Sequence, residues 1–267
     1  MNDFLSKYGP WALVAGASDG TGAAFAEQLS ERGIKVVLVA RRRSLLEELA
    51  ARLPTESRIV VQDLSSADAG AELAKATADL DLGLLVYNAG ADSSSTPFLE
   101  QRLEDLSALV RRNCLTVLET CHHVGDQLVR RGRGGLILVS SGAAWAGGGS
   151  LATYGATKAF DLILAEALWA EWRPHGVDVL ALVLGATDTP SLRKLLAQTG
   201  GGFSELAEAG DVVSQALEHL PDGPTWICGM PDPLGGSPFG ALPRRQAVEL
   251  MTQASSATHR PPEKDSD

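Results

Sequence analysis

Residues 13–22 read Leu-Val-Ala-Gly-Ala-Ser-Asp-Gly-Thr-Gly and join an apolar run to a glycine-rich turn. The run predicts a buried strand over 11–15, and a helix is predicted over 22–32. Gly16, Gly20 and Gly22 would allow a tight turn between them and a close approach of the backbone to a ligand. Because the N–H groups at a helix start attract phosphate, the stretch indicates a dinucleotide site. The alternative is a turn that needs glycine only for its backbone geometry.

Apolar runs of strand length alternate with helix-period segments along most of the chain. Strands are predicted over 11–15, 35–40, 58–62, 83–87, 135–139, 177–184 and 225–228. Helices are predicted over 22–32, 44–53, 67–79, 103–131 and 156–172. The strands are nearly all apolar, as strands buried on both faces are. The predicted fold class is therefore α/β, a doubly wound parallel sheet of the Rossmann type with about seven strands and helices on both faces.

The chain of 267 residues suits one large domain, which we place at residues 1–254. Within it, residues 190–210 contain a short helical stretch, 192–198, followed by Gly200-Gly201-Gly202, and are expected to form a lid over a ligand or else a plain surface loop. Residues 255–267 have no apolar face and are expected to be a disordered tail.

Composition excludes several classes of function. The formal net charge of −10 argues against a nucleic-acid partner. Three cysteines without a Cys-x-x-Cys pair predict neither a disulfide framework nor a metal site, and fit a reducing compartment. With no run of about 18 apolar residues, the chain is expected to be cytoplasmic, without a membrane association.

Three polar residues have a spacing typical of proton transfer. Tyr154 and Lys158 would share one helix face, since side chains at i and i+4 lie one above the other. A cation near a phenol favours the phenolate, which makes the phenol a better proton carrier at neutral pH. Ser141, thirteen positions earlier, could reach the same carbonyl oxygen from a strand end. A coincidental Tyr-x-x-x-Lys on an ordinary amphipathic helix is the alternative.

The end of the second predicted strand indicates which dinucleotide would bind. An acidic residue there is typical of binding to a free 2′-hydroxyl, but this strand is followed by Arg41 and Arg42. Guanidinium groups pair with phosphate through two hydrogen bonds, so NADP(H) is predicted rather than NAD(H), with Ser18 assisting. Asp19 lies in the same turn and would repel the phosphate if it pointed inward.

Two further loops follow predicted strands and would lie at the same edge of the sheet. Asp63-Leu64 follows the third strand, and Asn88-Ala89-Gly90 follows the fourth. Asp63 could accept a hydrogen bond from the adenine amino group, and the small Ala89-Gly90 pair would let the backbone lie along the adenosine. Either loop could instead supply only a helix cap or a turn.

Together these motifs resemble the short-chain dehydrogenase/reductase family, in its compact type of about 250 residues, over roughly residues 11–229. The segment 7–12, Lys-Tyr-Gly-Pro-Trp-Ala, with the glycine turn, is similar to the hydroxysteroid and very-long-chain 3-ketoacyl reductase branch. Three positions depart from the family pattern. Ala15 replaces a threonine, Thr21 replaces an apolar residue, and Leu184-Gly185 stands in place of Pro-Gly.

The resemblance implies roles for individual residues. Asn113 would hold a water that links the lysine to solvent, although an Asn within a helix can also simply bond a neighbouring carbonyl. Ser141, preferred to Ser140 for its spacing to Tyr154, would polarise the substrate oxygen, Tyr154 would pass the proton, and Lys158 would also hold the nicotinamide ribose. The cofactor-binding set would comprise Gly16, Ser18, Asp19, Gly20, Thr21, Gly22, Arg41, Arg42, Asp63, Leu64, Asn88, Ala89, Gly90, Tyr154, Lys158, Gly185, Thr187 and Thr189.

The implied activity is NADP(H)-dependent interconversion of a secondary alcohol and a ketone on an apolar small molecule, steroid-like or 3-oxoacyl-like. Trp145 and Leu192 would line the substrate pocket, with Leu196 a further candidate, though all three could equally be core or lid packing. The family also implies a homodimer or homotetramer through the helices over 103–131 and 156–172, the alternative being a monomer. Two other functions are a non-catalytic cofactor-binding scaffold and a sugar-nucleotide epimerase, against which the chain length argues.

Overall fold

Apolar strand segments pair side by side into one parallel sheet in the computed structural model, which describes residues 3–90, 96–199, 203, 205–229, 236 and 239–257. Within those residues the sheet has seven strands, and each predicted strand is found with its ends shifted by at most one residue, except that β5 ends two residues later than predicted. Their bounds are β1 Trp11–Ala15, β2 Lys35–Ala40, β3 Ser57–Val61, β4 Leu82–Tyr87, β5 Gly134–Ser141, β6 Val177–Leu184 and β7 Thr225–Ile227.

The strand order is β3-β2-β1-β4-β5-β6-β7, with every neighbouring pair parallel. The chain therefore winds outward in one direction from β1 and then in the other from β4. The crevice at this reversal point, outside the carboxyl ends of the strands, is where ligands bind in open α/β sheets. The doubly wound fold predicted from the sequence is confirmed.

Helices connect the strands across both faces of the sheet. The early helices are α1 Asp3–Tyr8, α2 Gly20–Glu31, α3 Arg43–Ala50, α4 Ala69–Thr77 and α5 Leu103–Val110. The later ones are α6 Thr116–Arg131, α7 Ala152–Trp172, α8 Pro190–Thr199, α9 Ala209–His219 and α10 Arg244–Ala257. A π-helical turn, Arg111–Leu115, lies between α5 and α6.

Alternation of side chains along the strands divides the core into two layers. On β1, Ala12 and Val14 pack with α2, α3 and α9 on one face, whereas Leu13 and Ala15 pack with α4, α6 and α7 on the other. All five β1 residues are buried. The strands lack a polar face because helices cover both sides.

The predicted helix pattern needs correction at several points. The helix predicted over 103–131 is interrupted by the π-helical turn. Helices α1, α9 and α10 were missed, although α9 presents buried Val212, Val213, Ala216 and Leu217 at helical spacing. The expected disordered tail begins too early, because α10 runs to Ala257 and Ser255 is only 4% exposed. The rest of that segment, 258–267, lies outside the described residues.

The proposed lid segment starts with a helix slightly longer than predicted. Helix α8 covers Pro190–Thr199, where 192–198 was predicted. The glycines 200–202 that follow lie outside the described residues. Whether this segment acts as a lid stays a prediction.

Candidate active site

The glycine turn between β1 and α2 has the backbone geometry that only glycine adopts freely. Gly16 and Gly20 have φ values of +85° and +55°. A Cβ on Gly22 would collide with the carbonyl oxygen of Gly16. The N–H groups of Gly16 and Ala17 donate to Val39 O at 2.8 and 3.1 Å, which ties the turn to the end of β2. The turn thus fits a closely approaching phosphate at the start of α2.

Thr21 and Asn88 hold the glycine turn from behind. Thr21 Oγ1 donates to Asn88 Oδ1 at 2.7 Å, and Asn88 Nδ2 donates to Gly16 O at 3.2 Å. The N–H groups of Asn88 and Ala89 also donate to Ala15 O, at 3.0 and 2.9 Å. Both side chains predicted to bind the cofactor are therefore engaged with the turn and with each other. These two side chains therefore hold the backbone of the glycine turn in place.

Arg41 and Arg42 lie exposed directly after β2, beside the glycine turn. Arg42 Nη2 donates to Ser18 Oγ at 2.9 Å and also to the carboxylate of Asp19. The Asp19 charge is therefore directed at a guanidinium, which removes the expected repulsion of a phosphate. No carboxylate stands where β2 ends, and Arg41 adds a second cation at the same edge.

Hydrogen bonds to the side chain of Asp63 stabilise the loop after β3. Asp63 Oδ1 accepts from Ser65 N at 2.9 Å and from Ser65 Oγ at 2.7 Å. Although partial burial opposes ionisation, these bonds and the charges of Arg41 and Arg112 lower the pKa of Asp63. Leu64 is buried, and its carbonyl accepts from Thr116 Oγ1 at 2.9 Å, so its side chain is part of the core.

The chain after β6 crosses toward the glycine turn. Thr187 is 5% exposed and pairs with Ala207 in an isolated parallel bridge. Thr189 caps α8 by accepting from Leu192 N at 3.2 Å, and its Cγ2 would lie 3.0 Å from a Cβ on Gly20. Helix α8 therefore begins against the cofactor turn, with Leu192 half-buried beside it. Gly185, which precedes this crossing, directly follows the end of β6.

The end of β5 and the start of α7, which carry the predicted catalytic hydroxyls, pack against each other. Ser140 is 1% exposed and donates to Lys158 O at 2.7 Å, so it serves as a structural bond. Ser141 is partly exposed, and its Oγ accepts from Ala143 N at 3.3 Å. A Cβ on Gly155 would lie 2.9 Å from Ala143 O, so the turn of α7 that carries Tyr154 packs against the turn after Ser141. This geometry favours Ser141 over Ser140 as the reacting serine.

Lys158 is 3% exposed and has two partners for its ammonium group. Nζ donates to Val139 O at 2.8 Å and to Asp161 Oδ2 at 3.0 Å. Asp161, also 3% exposed, lies one helical turn beyond Lys158 on the same face of α7. Burial raises the pKa of Asp161 to about 6, although the Lys158 charge and hydrogen bond act against that rise.

The π-helical turn places Asn113 in the same cluster. Asn113 is fully buried, and its Nδ2 donates to Gly90 O at 3.1 Å and to Thr157 Oγ1 at 2.9 Å. A Cβ on Gly90 would lie 2.9 Å from Asn113 Oδ1 and 2.9 Å from Lys158 Nζ. The two side chains thus converge on the Gly90 position, as the proton-relay prediction requires. Single π-helical turns of this kind occur often at functional sites.

Asp161 was missed by the sequence reasoning. Its signal was available, because a Lys-x-x-Asp pair at i and i+3 lies on one helix face and the neighbouring positions Leu162 and Ala165 are core residues. A carboxylate on the buried face of a helix requires a partner. The nearest candidate in the sequence was the predicted catalytic lysine.

Trp145, predicted to line the substrate pocket, is half-buried and directly follows the turn 142–144 that comes after Ser141. It lines a cavity of about 360 Å³ between α7 and residues 239–244, together with Ile163, Glu166 and Arg244. Neither Ser141 nor Tyr154 lines that cavity. A substrate role for Trp145 therefore stays a prediction.

The glycine-rich segment 147–149, which precedes α7, is attached to α10. Gly149 N donates to Thr252 Oγ1 at 3.1 Å, and Ser255 Oγ donates to Gly149 O at 2.9 Å. Arg244 Nη1 donates to Trp145 O at 3.0 Å. The carboxyl-terminal helix therefore holds the segment that leads into the catalytic helix.

Among the described helices, none is long and apolar enough to cross a membrane.

Comparison with known proteins gives a consistent result. A family model described as "short chain dehydrogenase" matches residues 10–200. A 7β-hydroxysteroid dehydrogenase of Clostridium sardiniense is 32% identical over 231 residues, which cover 85% of this chain and 88% of the relative. A very-long-chain 3-oxoacyl-CoA reductase of Podospora anserina is 39% identical over 182 residues, covering 65% of this chain and 53% of that longer protein.

A solved structure gives a similar result for the fold. A short-chain dehydrogenase from Sphingobium yanoikuyae in complex with NADPH superposes with a TM-score of 0.76 at 27% identity, covering 97% of this chain and 99% of the other. The resemblance to hydroxysteroid and 3-ketoacyl reductases inferred from the sequence is confirmed.

Proposed function

The chain belongs to the short-chain dehydrogenase family, and from this premise we propose that it interconverts a secondary alcohol and a ketone on an apolar, steroid-like substrate with NADP(H). The observation that supports the proposal is that the side chains of Lys158 and Asn113 converge on Gly90, while the turn of α7 that carries Tyr154 packs against the turn after Ser141. The bound cofactor would supply or accept the hydride. The side chains of this chain would orient the substrate and move the proton.

The proton route follows from the exposure of each group. Ser141 and Tyr154 are partly exposed, so their hydroxyls can reach a substrate oxygen in the crevice. Lys158 and Asn113 are buried behind them and converge at Gly90. In the direction of ketone reduction, Ser141 donates a hydrogen bond to the carbonyl oxygen while Tyr154 gives it a proton. Lys158 would then return a proton to Tyr154 from the interior side, and a water held by Asn113 would resupply Lys158 with a proton from solvent.

The preference for NADP(H) is supported by charge at the end of β2. Arg41 and Arg42 are exposed there, Ser18 lies within a hydrogen bond of Arg42, and Asp19 is paired with that same guanidinium. An adenosine 2′-phosphate would meet the Arg41 guanidinium there, beside an Arg42 guanidinium that already offsets the Asp19 charge. The NADPH complex of the Sphingobium relative is consistent with this assignment.

The substrate class rests on the relatives. The Clostridium relative is named for a hydroxysteroid substrate and matches over most of both chains. The Podospora relative, named for a 3-oxoacyl-CoA substrate, matches over only about half of its own length. We therefore place steroid ketones first and 3-oxoacyl thioesters second.

The deciding experiment follows NADPH oxidation by absorbance with steroid ketones, 3-oxoacyl thioesters and small aromatic ketones as substrates. Tyr154→Phe should lower kcat/KM by about 100-fold or more, the usual contribution of a positioned proton donor, while NADPH binding is kept. Tyr8→Phe makes the same chemical change at the opposite edge of the sheet, where Tyr8 bonds Asp178, and should leave kcat/KM within about twofold.

Two results would contradict the proposal. A folded wild-type protein that binds NADPH without oxidising it against any of these substrates would instead support the cofactor-binding scaffold. Full activity in Tyr154→Phe would exclude the proton route described above.

A further inference from the structure

Asp161 is a buried carboxylate in contact with the ammonium of the central lysine. Its Oδ2 accepts from Lys158 Nζ at 3.0 Å, and both side chains are 4% exposed. Its other oxygen, Oδ1, is buried and has no hydrogen-bond partner among the described residues. A buried charge is costly unless it is paired. The fold therefore tolerates this carboxylate because of Lys158.

We propose that Asp161 is a positioning residue for Lys158, fixing the ammonium against Val139 O and, when ionised, offsetting its positive charge at Tyr154. The inference rests on the proposed function, because it assigns Lys158 its role in proton transfer. Two of the three ammonium hydrogens are used by Val139 O and Asp161, which fixes the direction of the third. That third hydrogen is the one available to a cofactor hydroxyl or a water.

The other groups around Asp161 do not compensate its charge. The titratable side chains that its charge reaches come from three further elements: Tyr87 on β4, Cys114 on the π-helical turn and Cys121 on α6. For each, burial first and the Asp161 charge second raise the pKa, to about 11 for Cys114 and further for Tyr87 and Cys121. All three are thus neutral at physiological pH, and Lys158 is the counter-charge.

The ionisation state of Asp161 would therefore change the net charge that lies close to the Tyr154 phenol. With Asp161 ionised, the pair carries no net charge, and the ammonium favours a phenolate only weakly. With Asp161 neutral, the ammonium is uncompensated and favours the phenolate more strongly. An Asp161→Asn variant keeps the shape and an acceptor oxygen while removing the charge permanently.

The test measures the pH profile of kcat/KM for alcohol oxidation, which needs Tyr154 as a base. The limb that rises with pH should move to lower pH by roughly one unit in Asp161→Asn. Asp178→Asn is the matched control. It removes a partly buried carboxylate paired with Lys7 and Tyr8 at the other edge of the sheet, and it should not move the limb.

A second readout measures NADPH binding by fluorescence, without turnover. Asp161→Asn, which retains the acceptor, should bind within about twofold of wild type. Asp161→Leu, which removes the acceptor, should bind about tenfold more weakly, because the ammonium is no longer held.

A limb that stays in place in Asp161→Asn, or moves to higher pH, overturns the charge role. Equal binding by Asp161→Asn and Asp161→Leu overturns the positioning role. Both tests of Asp161 require a wild type that binds and oxidises NADPH. A folded wild type that does neither overturns the proposed function, and the role of Asp161 with it. The wild-type measurement alone therefore separates failure of the proposed function from failure of the Asp161 role.

Discussion

Each polar side chain at the carboxyl edge of the sheet has one of two tasks, and its burial separates them. Ser140, Thr21 and Asn88 are bonded to backbone or to each other and shape the loops. Ser141, Tyr154 and the arginines after β2 keep part of their surface open to a ligand. The second group is where single substitutions should change chemistry without changing the fold.

Arg41 gives a residue-scale prediction for cofactor choice. Arg41→Ala should raise KM for NADPH about tenfold, the equivalent of one charge-assisted contact to phosphate, and leave KM for NADH within about twofold. Arg43→Ala is the control, because Arg43 is exposed nearby but pairs with Glu47 at 3.6 Å. An equal rise in KM for NADPH and for NADH would show that Arg41 does not contact the 2′-phosphate.

Asp161 gives a pH-dependent stability prediction. Since burial raises its pKa in the folded protein to about 6 from 3.8, the folded state binds this proton more tightly than the unfolded state. That stabilisation is complete below about pH 4 and is lost as pH rises through about 6. Relative to Asp161→Asn, wild type should thus lose on the order of 5 °C of unfolding temperature between pH 4.5 and 7.5. A difference in unfolding temperature between the two proteins that does not vary with pH would refute this prediction.

The sequence identified most of these side chains because their types and spacing are tied to strand ends. It did not show that Thr21 and Asn88 turn toward each other, because that depends on how two loops from distant strands meet. It also gave Asp161 no role, although the i, i+3 spacing from Lys158 on a predicted helix pointed to a pair.

At the scale of elements, strands were easier to predict than helices. Strands buried on both faces are short apolar runs, and these are visible in a single sequence. The π-helical turn Arg111–Leu115 was not predictable, because it inserts one residue into an otherwise regular helical pattern. Over residues 244–255, helix α10 has Ala247 and Met251 as its buried apolar positions, too few to show a periodic face.

The crossing of α6 and α7 gives an element-scale prediction. Gly125 of α6 lies against the ring of Trp172 at the end of α7, and an added Cβ would lie 2.5 Å from Trp172 Cζ2. Gly125→Ala should lower the free energy of unfolding by about 1–3 kcal/mol, because the ring cannot move away cheaply. The measurement is urea denaturation followed by circular dichroism.

Gly210→Ala is the matched control for that prediction. Gly210 lies in α9, and nothing stands within 4 Å of an added Cβ. The same substitution there should stabilise the protein by up to about 1 kcal/mol through helix propensity. Equal effects at the two positions would mean that close packing at Gly125 is unimportant.

For the whole molecule, the two edges of the sheet carry different kinds of interaction. The carboxyl edge holds the glycine turn and the proposed catalytic residues. The amino edge holds Tyr8 and Lys7 on Asp178, and Arg131 on Gly9 O. Because the predicted strands are parallel, the sequence already placed the ligand-binding loops together at the carboxyl edge. It did not predict these three contacts of the amino edge, each of which joins residues more than 100 positions apart.

Exposed apolar side chains on the outer helices give a prediction about assembly. Leu118 of α6 is 48% exposed and Ile163 of α7 is 61% exposed. We expect these helices to pair between two copies of the chain, as the sequence resemblance implied. Leu118→Asp with Ile163→Asp should shift the mass measured by light scattering to that of a monomer. Leu250→Asp, on α10 at 40% exposure, should not, and a monomeric wild type would contradict the expectation.

The attachment of Gly149 to α10 has a consequence for access to the crevice. A glycine triplet in an isolated loop would exchange its amide hydrogens with deuterated solvent almost immediately. Here the Gly149 amide is hydrogen-bonded to Thr252, and its carbonyl to Ser255. The Gly149 amide should therefore exchange only when α10 detaches. The rate at which the carboxyl-terminal helix unlatches would then limit how often bulky molecules enter and leave.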